Sequence, residues 1–326
     1  MEQDMKYILQ IYKDRSFSKA AEHLYMTQPA LSIAVKRVED SLGAELFDRR
    51  HHPLELTQAG EAYLEAVHRI HLVEEDLARQ IGDLRDLNAG SLRIGGTHFI
   101  NTYLLAALLG RYMKQYPGIQ VEVAETDSVR LGELMQRKEL DLTLSCDPKL
   151  VERFERRPAF LDRVLLAVPN SYSLPPEAEA AALSGEEVMA GRHNQPDCPR
   201  AALGWFRDLD FILLSRGNNL RARAEEMFRQ ADFTPRVRME LAQLVTAYRF
   251  ADNGIGCTFI SDLLVRRPPR GLRLFKLDLP QTRRQFYVLF PKRDYAPFAL
   301  RAFLKFADNQ VWGLRLDQIN LPHTSK

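Results

Sequence analysis

Most signatures of secretion, membrane insertion and catalysis are missing from this 326-residue chain. Its three cysteines, Cys146, Cys198 and Cys257, are far apart, with no CxxC pair and no even set for a disulfide framework. No apolar run approaches the roughly 18 residues of a candidate membrane span. The first ten residues, MEQDMKYILQ, lack the basic-then-apolar order of a secretory signal. A cytoplasmic protein without membrane contact is expected. Excess charge of either sign is lacking too: 45 Lys and Arg stand against 43 Asp and Glu, a net of +2. Bulk charge therefore neither names nor excludes a nucleic-acid partner.

Catalytic spacing is equally absent. No GxSxG, P-loop or HExxH occurs, and GIG at 254–256 falls between a helix and a strand, the reverse of what a dinucleotide loop needs. His51 and His52 are neighbours in an expected hairpin, where adjacent side chains point apart, so no metal is expected. Cys146 and Cys257 could meet across a cleft and sense oxidants, although buried inert thiols are the commoner case. These absences argue against an enzyme and against a cofactor.

What is present reads as two or three units. Residues 1–60 pattern as short helices. Met5, Ile8, Leu9 and Tyr12 make one apolar stripe, Ala20, Ala21 and Leu24 a second, and Leu31, Val35, Val38 and Leu42 a third that Gly43 ends. LFDRRHHPLEL suggests a two-stranded hairpin. Thr57 then caps a helix over 58–88 whose Leu64, Val67, Ile70, Val73 (or Leu72), Leu77, Ile81 and Leu84 recur every three or four residues. Its roughly 45 Å exceeds what a small domain needs, and a partner helix is the simplest cover for such a seam.

The stretch MTQPALSIAVKR places Thr27 at an N-cap and Pro29 in a first helical turn, just after the short helix SFSKAAEHLYM. Two helices joined by so brief a turn make a helix-turn-helix. With the third stripe inward, Pro29, Ile33, Lys36 and Asp40 face out, flanked by Gln28, Ser32 and Arg37. Such a face suits the major groove: amide and hydroxyl for base edges, cations for phosphates, an apolar group for thymine methyls. The plain alternative is a structural three-helix unit with an incidental exposed isoleucine. Residues 1–60 hold eight Lys and Arg and nine Asp and Glu, so placement rather than total charge favours DNA, through Lys36, Arg37, Arg49 and Arg50.

From Ser91 the pattern alternates strands (SLRIG, IQVEVAE, LDLTLS, DRVLLAVP, FILLS, RVRME, GIGCTFI, LRLFKL, QFYVLFP) with amphipathic helices. An α/β arrangement of mostly parallel sheet is expected.

The run SFSKAAEHLYMTQPALSIAVKRVEDSLGAELFDRR, continued by LELTQAG, resembles the winged helix-turn-helix of LysR-type transcriptional regulators over about 60 residues. Ser16, Phe17, Ala20, Ala21 and Leu24 fit the motif's first helix, Gln28, Pro29, Leu31 and Ser32 its second, and Val38, Glu39, Leu42 and Gly43 that helix's end. Leu46, Phe47, Arg49, Leu56, Thr57 and Gly60 fit the wing and linker start. The sequence departs at Ile33, where a basic or polar residue is frequent in the family. SLRIGGT, YPGIQVEVAE, LDLTLS, DRVLLAVP and DNGIGCTFIS fall in the family's order over 91–306, a looser similarity.

The resemblance implies an α-helical winged helix-turn-helix domain (1–60), a long linker and dimerisation helix (58–90) and a two-lobed α/β effector-binding domain similar to periplasmic binding proteins (91–306), before a tail at 307–326. Lobe one would hold about 91–161 and 268–306, lobe two about 162–267, with crossings near 161–166 and 264–268. Implied partners are promoter half-sites of double-stranded DNA, contacted by Thr27, Gln28, Pro29, Ser32, Ile33, Lys36, Arg37, Arg49 and Arg50. A small-molecule effector and further copies of the chain, as a homodimer through the linker helix and a homotetramer, complete the set. The alternative is a cytoplasmic two-lobed solute-binding protein or enzyme without DNA binding.

An effector site between lobes would use strand ends and helix N-termini, where free N–H groups meet anions. Thr97, His98, Phe99 and Thr102 follow the first strand, Thr126 the second, Ser145 and Cys146 the third; Cys257 and Thr258 face them from the other lobe. Any one of these hydroxyls is more often only a cap, but their recurrence after three strands singles them out. Helix N-termini with hydroxyl donors favour a carboxylate or similar small anion.

Overall fold

The computed structural model describes residues 2–51, 53–84, 90–292 and 295–310. It divides into two compact units, Met1–Ala78 and Arg79–Lys326. In the first, α1 (Glu2–Asp14), α2 (Phe17–His23) and α3 (Gln28–Leu42) enclose Ile8, Ile11, Ala20, Ala21, Leu31 and Val35, and Leu46 and Phe47 close the core. β1 (Phe47–Asp48) and β2 (Glu55–Leu56) pair antiparallel as a wing, and α4 (Gln58–Leu84) follows.

Local chemistry sets these boundaries. Ser16 caps α2 by accepting the Lys19 N–H. α3 stops where Gly43 turns left-handed at φ 67°, its N–H returning to the Asp40 carbonyl and that of Ala44 to Glu39. Thr57 caps α4, accepting the Gly60 N–H at 3.0 Å and donating to the Glu45 carbonyl. Position 60 excludes a side chain, because a Cβ there would lie 2.0 Å from the Leu46 carbonyl oxygen.

Two stripes differ from expectation. Ile11, not Tyr12, faces the α1 core, and on α3 the buried residue near the end is Glu39, while Leu42 is 52% exposed. Glu39 is inside because its carboxylate accepts the Leu46 N–H at 2.8 Å, satisfying backbone where the chain enters the wing, and holds Arg49 at 3.2 Å. Along α4, Val67 and Leu72 are buried, whereas Ile70, Val73, Leu77 and Ile81 form an exposed apolar stripe. The Leu84 side chain and residues 85–89 fall outside the described residues. Among the described residues no helix is long and apolar enough to cross a membrane.

The second unit opens with β3 (Gly90–Gly96), which leads into α5 (His98–Ile100), a π-helical turn (Asn101–Leu105) and α6 (Ala106–Gln115). β4 (Ile119–Glu125), α7 (Ser128–Gln136), β5 (Leu142–Ser145), α8 (Pro148–Arg153) and β6 (Glu155–Pro169) follow. The next stretch supplies α9 (Pro176–Ala180), α10 (Gly185–Met189), β7 (Asp210–Leu214), α11 (Asn219–Gln230), β8 (Arg236–Leu241), α12 (Leu244–Asp252), β9 (Thr258–Ser261) and β10 (Leu272–Lys276). β11 (Arg283–Phe290) and α13 (Phe298–Gln310) complete it. Helix thus occupies the start of the expected 307–326 tail; residues 311–326 lie outside the described residues.

Lobe one orders its strands β6-β11-β5-β3-β4. β6 belongs to both lobes: Glu155–Arg163 pair with β11, then Val164–Pro169 pair with β9 and β10. β7 and β8 run parallel in lobe two and reach β9 through a bridge from Phe211 to Cys257. The sheets are therefore mixed, not mostly parallel. β3, β4 and β5 pair parallel, but β6, β10 and β11, which carry the chain out of one lobe and back, pair antiparallel. The return crossing also comes later than 264–268. β10 still pairs with the lobe-two end of β6, so the chain crosses back between Lys276 and Arg283. The last turns of α4 are fastened into lobe one. Arg79 lies 2.9 Å from the buried Asp141 carboxylate, and Asp83 accepts the Phe298 N–H at 2.6 Å where α13 begins.

Candidate functional site

Two regions collect the polar residues singled out above. On α3, Gln28, Pro29, Lys36 and Arg37 are exposed, Ile33 is 62% exposed and Ser32 is half-buried, while Leu31 and Val35 point inward. Thr27 occupies the N-cap in extended conformation, but its hydroxyl makes no capping bond. Arg49 is tied to the Glu39 carboxylate and sits 4.9 Å over the Phe17 ring, with its side chain still half exposed. Arg50 chelates Asp48 at 2.9 and 2.6 Å, and this bonding holds the Asp48 carboxyl well below the usual carboxylate range. His51 stands 3.7 Å from Asp48; His52 lies outside the described residues. Tyr25, not anticipated, holds the turn between α2 and α3 at φ 55° and is itself 98% exposed, an unusual conformation for a bulky residue.

The second region is the cleft between the lobes. Thr97, Phe99, Ser145 and Cys146 line it from lobe one, with Ser128 and Asp147. Lobe two contributes Asn218 and Asn219 at the start of α11 and Gln243 at the start of α12. The Thr97 hydroxyl makes no capping bond, and the Ser145 hydroxyl accepts the Asp147 N–H at 3.0 Å, which leaves its own proton to donate. Cys146 bonds Asn219 across the cleft at 3.4 Å, and its burial pushes the thiol up. Other expected residues are placed elsewhere. His98 turns to Glu125 at 3.1 Å, Thr102 is exposed on the π-helical turn, and Thr126 donates its N–H to the Gly96 carbonyl without lining the cleft.

Cys257 and Thr258 are a correction. Both are buried in the lobe-two core, Thr258 donating to the Ile212 carbonyl at 2.9 Å. Thr258 begins β9 and Cys257 immediately precedes it, both inside lobe two rather than facing the cleft, and it is the carboxyl ends of β7 and β8 that lead to the cleft-lining Asn218 and Gln243.

A buried ion pair closes the cleft floor. Asp162 and Arg284 are both buried, 2.6 Å apart, and Asp162 also accepts the Ser261 hydroxyl. Complete burial raises the Asp162 carboxyl despite the neighbouring guanidinium; the same burial would lower Arg284, but Asp162 holds it above its ordinary value. Arg284 lines the cleft and its Nη2 has no hydrogen-bond partner among the described residues.

Two family models match the chain: bacterial regulatory helix-turn-helix protein, lysR family, over residues 3–61, and LysR substrate binding domain over residues 85–312. The chain belongs to the LysR family. It is 30% identical over 305 residues to the uncharacterized HTH-type transcriptional regulator YcgK of Bacillus subtilis (strain 168), covering 93% of this chain and 92% of that relative. Its fold is similar to that of full-length CbnR complexed with its target DNA, with a TM-score of 0.66 at 17% identity over 95% of this chain and 99% of that one. The effector-binding domain of QuiR in complex with shikimate matches at a TM-score of 0.53 and 14% identity, over 67% of this chain and 95% of that one.

As a LysR-family protein the chain is a DNA-binding transcriptional regulator with an effector-binding domain, and the alternative without DNA binding is not favoured. The LysR-family helix-turn-helix match covers α2, Tyr25 and α3. The LysR-family cleft contains residues that the sequence reading missed: Ser128, Asn218, Asn219, Gln243 and Arg284. The first four obey the strand-end rule already used for Thr97, and SRGNNLRA after FILLS carries that signal. Arg284 had none, because it lies inside a strand and its partner is 122 residues away. Among the described residues, no group of three or more His, Cys, Asp or Glu could hold a metal ion.

Proposed function

We propose that this regulator binds a small carboxylate or similar anion in its cleft, and that the anion changes how paired α3 helices meet promoter DNA. The observation that carries the reading is the unpartnered Arg284 Nη2 on a cleft that also presents the Thr97 and Ser145 hydroxyls. The start of α11 adds backbone N–H groups, with a partial positive charge of about half a unit. Asp147 lies on the same wall, its carboxylate engaged by the Lys149 N–H at 3.0 Å. Only about 80 Å³ is open in the cleft, so a metabolite enters by parting the lobes. Parting and closing pivot on β6 and on the 276–283 segment, and lobe one holds the end of α4 through Arg79 and Asp83. A change in lobe angle thus reaches the linker helix, a two-state coupling between separate sites.

On DNA, Gln28, Ser32 and Ile33 read bases, while Thr27, Lys36, Arg37, Arg49 and Arg50 meet phosphates. Two copies associate through the exposed stripe of α4 and work in the cytoplasm, with no catalytic step. Thr97→Val keeps volume and removes the hydroxyl. A DNA titration with and without a candidate carboxylate should show a blunted effector response and nearly unchanged affinity in its absence. Equal loss of DNA binding in both conditions would make Thr97 structural, and a full response in Thr97→Val with Ser145→Ala would move the effector elsewhere.

A further inference from the structure

A second cavity in the effector-binding domain, of about 530 Å³, shares no lining residue with the cleft. Its walls come from three places: Arg163–Leu165 on β6 at the outward crossing, Lys276–Pro280 with Thr282 and Arg283 on the return, and His193–Pro196 with Arg200 in lobe two. Four cationic side chains, Arg163, Arg200, Lys276 and Arg283, face it with one carboxylate, Asp278. We propose that this cavity is a second ligand site, for a small anion bearing two or more negative charges, as a phosphate ester or a dicarboxylate does.

The arrangement of charge is the reason. Arg163 and Arg283 are register partners across the antiparallel β6–β11 pair, which sets two like charges side by side, and the Arg163 Nε donates to the Asn194 side-chain carbonyl at 3.4 Å. Asp278 is engaged by Arg200 at 2.5 Å, and the Lys276 ammonium donates to the Gln195 carbonyl at 3.1 Å. Burial pushes the Lys276 ammonium down; Cys198 opposes this, and Arg200, Arg163 and Arg283 push it further down. His193 is buried at the edge of the cavity; its Nε2 lies 3.0 Å from Asp262 and its Nδ1 has no partner among the described residues. Nearly seven times as roomy as the cleft, the cavity accepts a metabolite without lobe movement.

Its position makes occupancy consequential. Asp262 takes His193 on one oxygen and the Arg163 N–H on the other, at 3.2 Å. The neighbouring Ser261 hydroxyl bonds Asp162, which holds Arg284 on the cleft floor. A ligand here bears on both crossing segments and lies a short polar relay from the cleft, so it would bias the same lobe motion.

Calorimetric titration of the full-length protein with inorganic phosphate and, separately, with succinate tests this, using chloride at matched ionic strength as the blank. One saturable site per chain is expected for at least one probe, and which probe binds separates the phosphate ester from the dicarboxylate. The site should persist in Thr97→Val and weaken about tenfold or more in Lys276→Gln and in Arg283→Gln, both accessible positions. No saturable heat with either probe at millimolar concentration overturns the proposal. So does binding that survives both substitutions together, or binding lost in Thr97→Val alone. The DNA titration of Thr97→Val reads the cleft and the Lys276 and Arg283 variants read the second cavity, so failure of one site is distinguishable from failure of the other.

Discussion

Replacing Arg284 by Met probes the cleft floor most directly. In the native protein the guanidinium is buried, 2.6 Å from Asp162, and its Cζ lies 5.4 Å from the centre of the Phe286 ring. Met retains much of the packing and removes the charge, leaving a buried carboxylate with the Ser261 hydroxyl. Breaking such a pair on one side costs about 3–5 kcal/mol, which for a domain of this size lowers the melting temperature by roughly 6–20 °C. Removing both partners, in Asp162→Asn with Arg284→Met, relieves the unpaired charge and should recover about 2 kcal/mol or more of that loss. The pH dependence has a definite sign. Burial already raises Asp162, and loss of Arg284 raises it further. A carboxyl whose folded pKa exceeds its unfolded value gains a proton on folding, so its stabilising contribution is complete at low pH and is lost as pH rises through the folded value. Arg284→Met should therefore gain stability relative to wild type as the buffer moves from about pH 7.5 to about pH 5. Thermal melts of wild type, Asp162→Asn, Arg284→Met and the double variant at both pH values form the double-mutant cycle. A single-variant loss below about 1 kcal/mol, or additive losses in the double variant, would refute the buried-pair reasoning.

Three further outcomes are expected. Lys36→Ala should weaken every DNA site and reduce the salt slope by about one, whereas Ile33→Ala should change preference among sites; filter-binding across salt concentrations and operator variants distinguishes them. Arg49→Ala is a poorer probe of phosphate binding, because it also frees the buried Glu39 and so destabilises the wing. Leu77→Glu places a charge in the exposed stripe of α4, and sedimentation should show smaller species; a native oligomer that still footprints both half-sites would remove that stripe from the assembly. Gly60→Ala should lower the melting temperature of the N-terminal domain, since its Cβ meets the Leu46 carbonyl, and unchanged melts would mean that the wing shifts freely.

The sequence made the N-terminal unit legible because its turns and caps are local: Thr57, Gly43 and Gly60 each act within a few residues of themselves or on the adjoining wing. Periodicity alone could not choose between Ile11 and Tyr12, nor foresee Glu39 inside, because a backbone N–H seven residues away decides that. Strands of the second unit were readable as apolar runs, but their direction was not. Alternating strands and helices suggest parallel pairing, and nothing local reveals that β6 and β11 meet antiparallel. The cleft was half legible. Thr97 and Ser145 follow strands in plain view, Asn218 and Gln243 obey the same rule, and Cys257 broke it by preceding its strand. Arg284 becomes visible only when the chain has closed on itself.

The double membership of β6 has a bearing on how the chain is made. Lobe one begins to emerge from the ribosome first, yet its sheet lacks β11 until the whole of lobe two has been synthesised. β6 is thus produced early and waits with one edge open in lobe one while β9 and β10 take its other half. Long-range pairing of this kind is slow, because the intervening loop must close before any bond rewards it. Lobe two has its partners first, and lobe one, although older, completes last. An edge left open in this way is where a nascent chain is most exposed to pairing with a neighbour. Premature termination between Lys276 and Arg283 should thus yield a folded second lobe attached to an aggregation-prone remnant of the first.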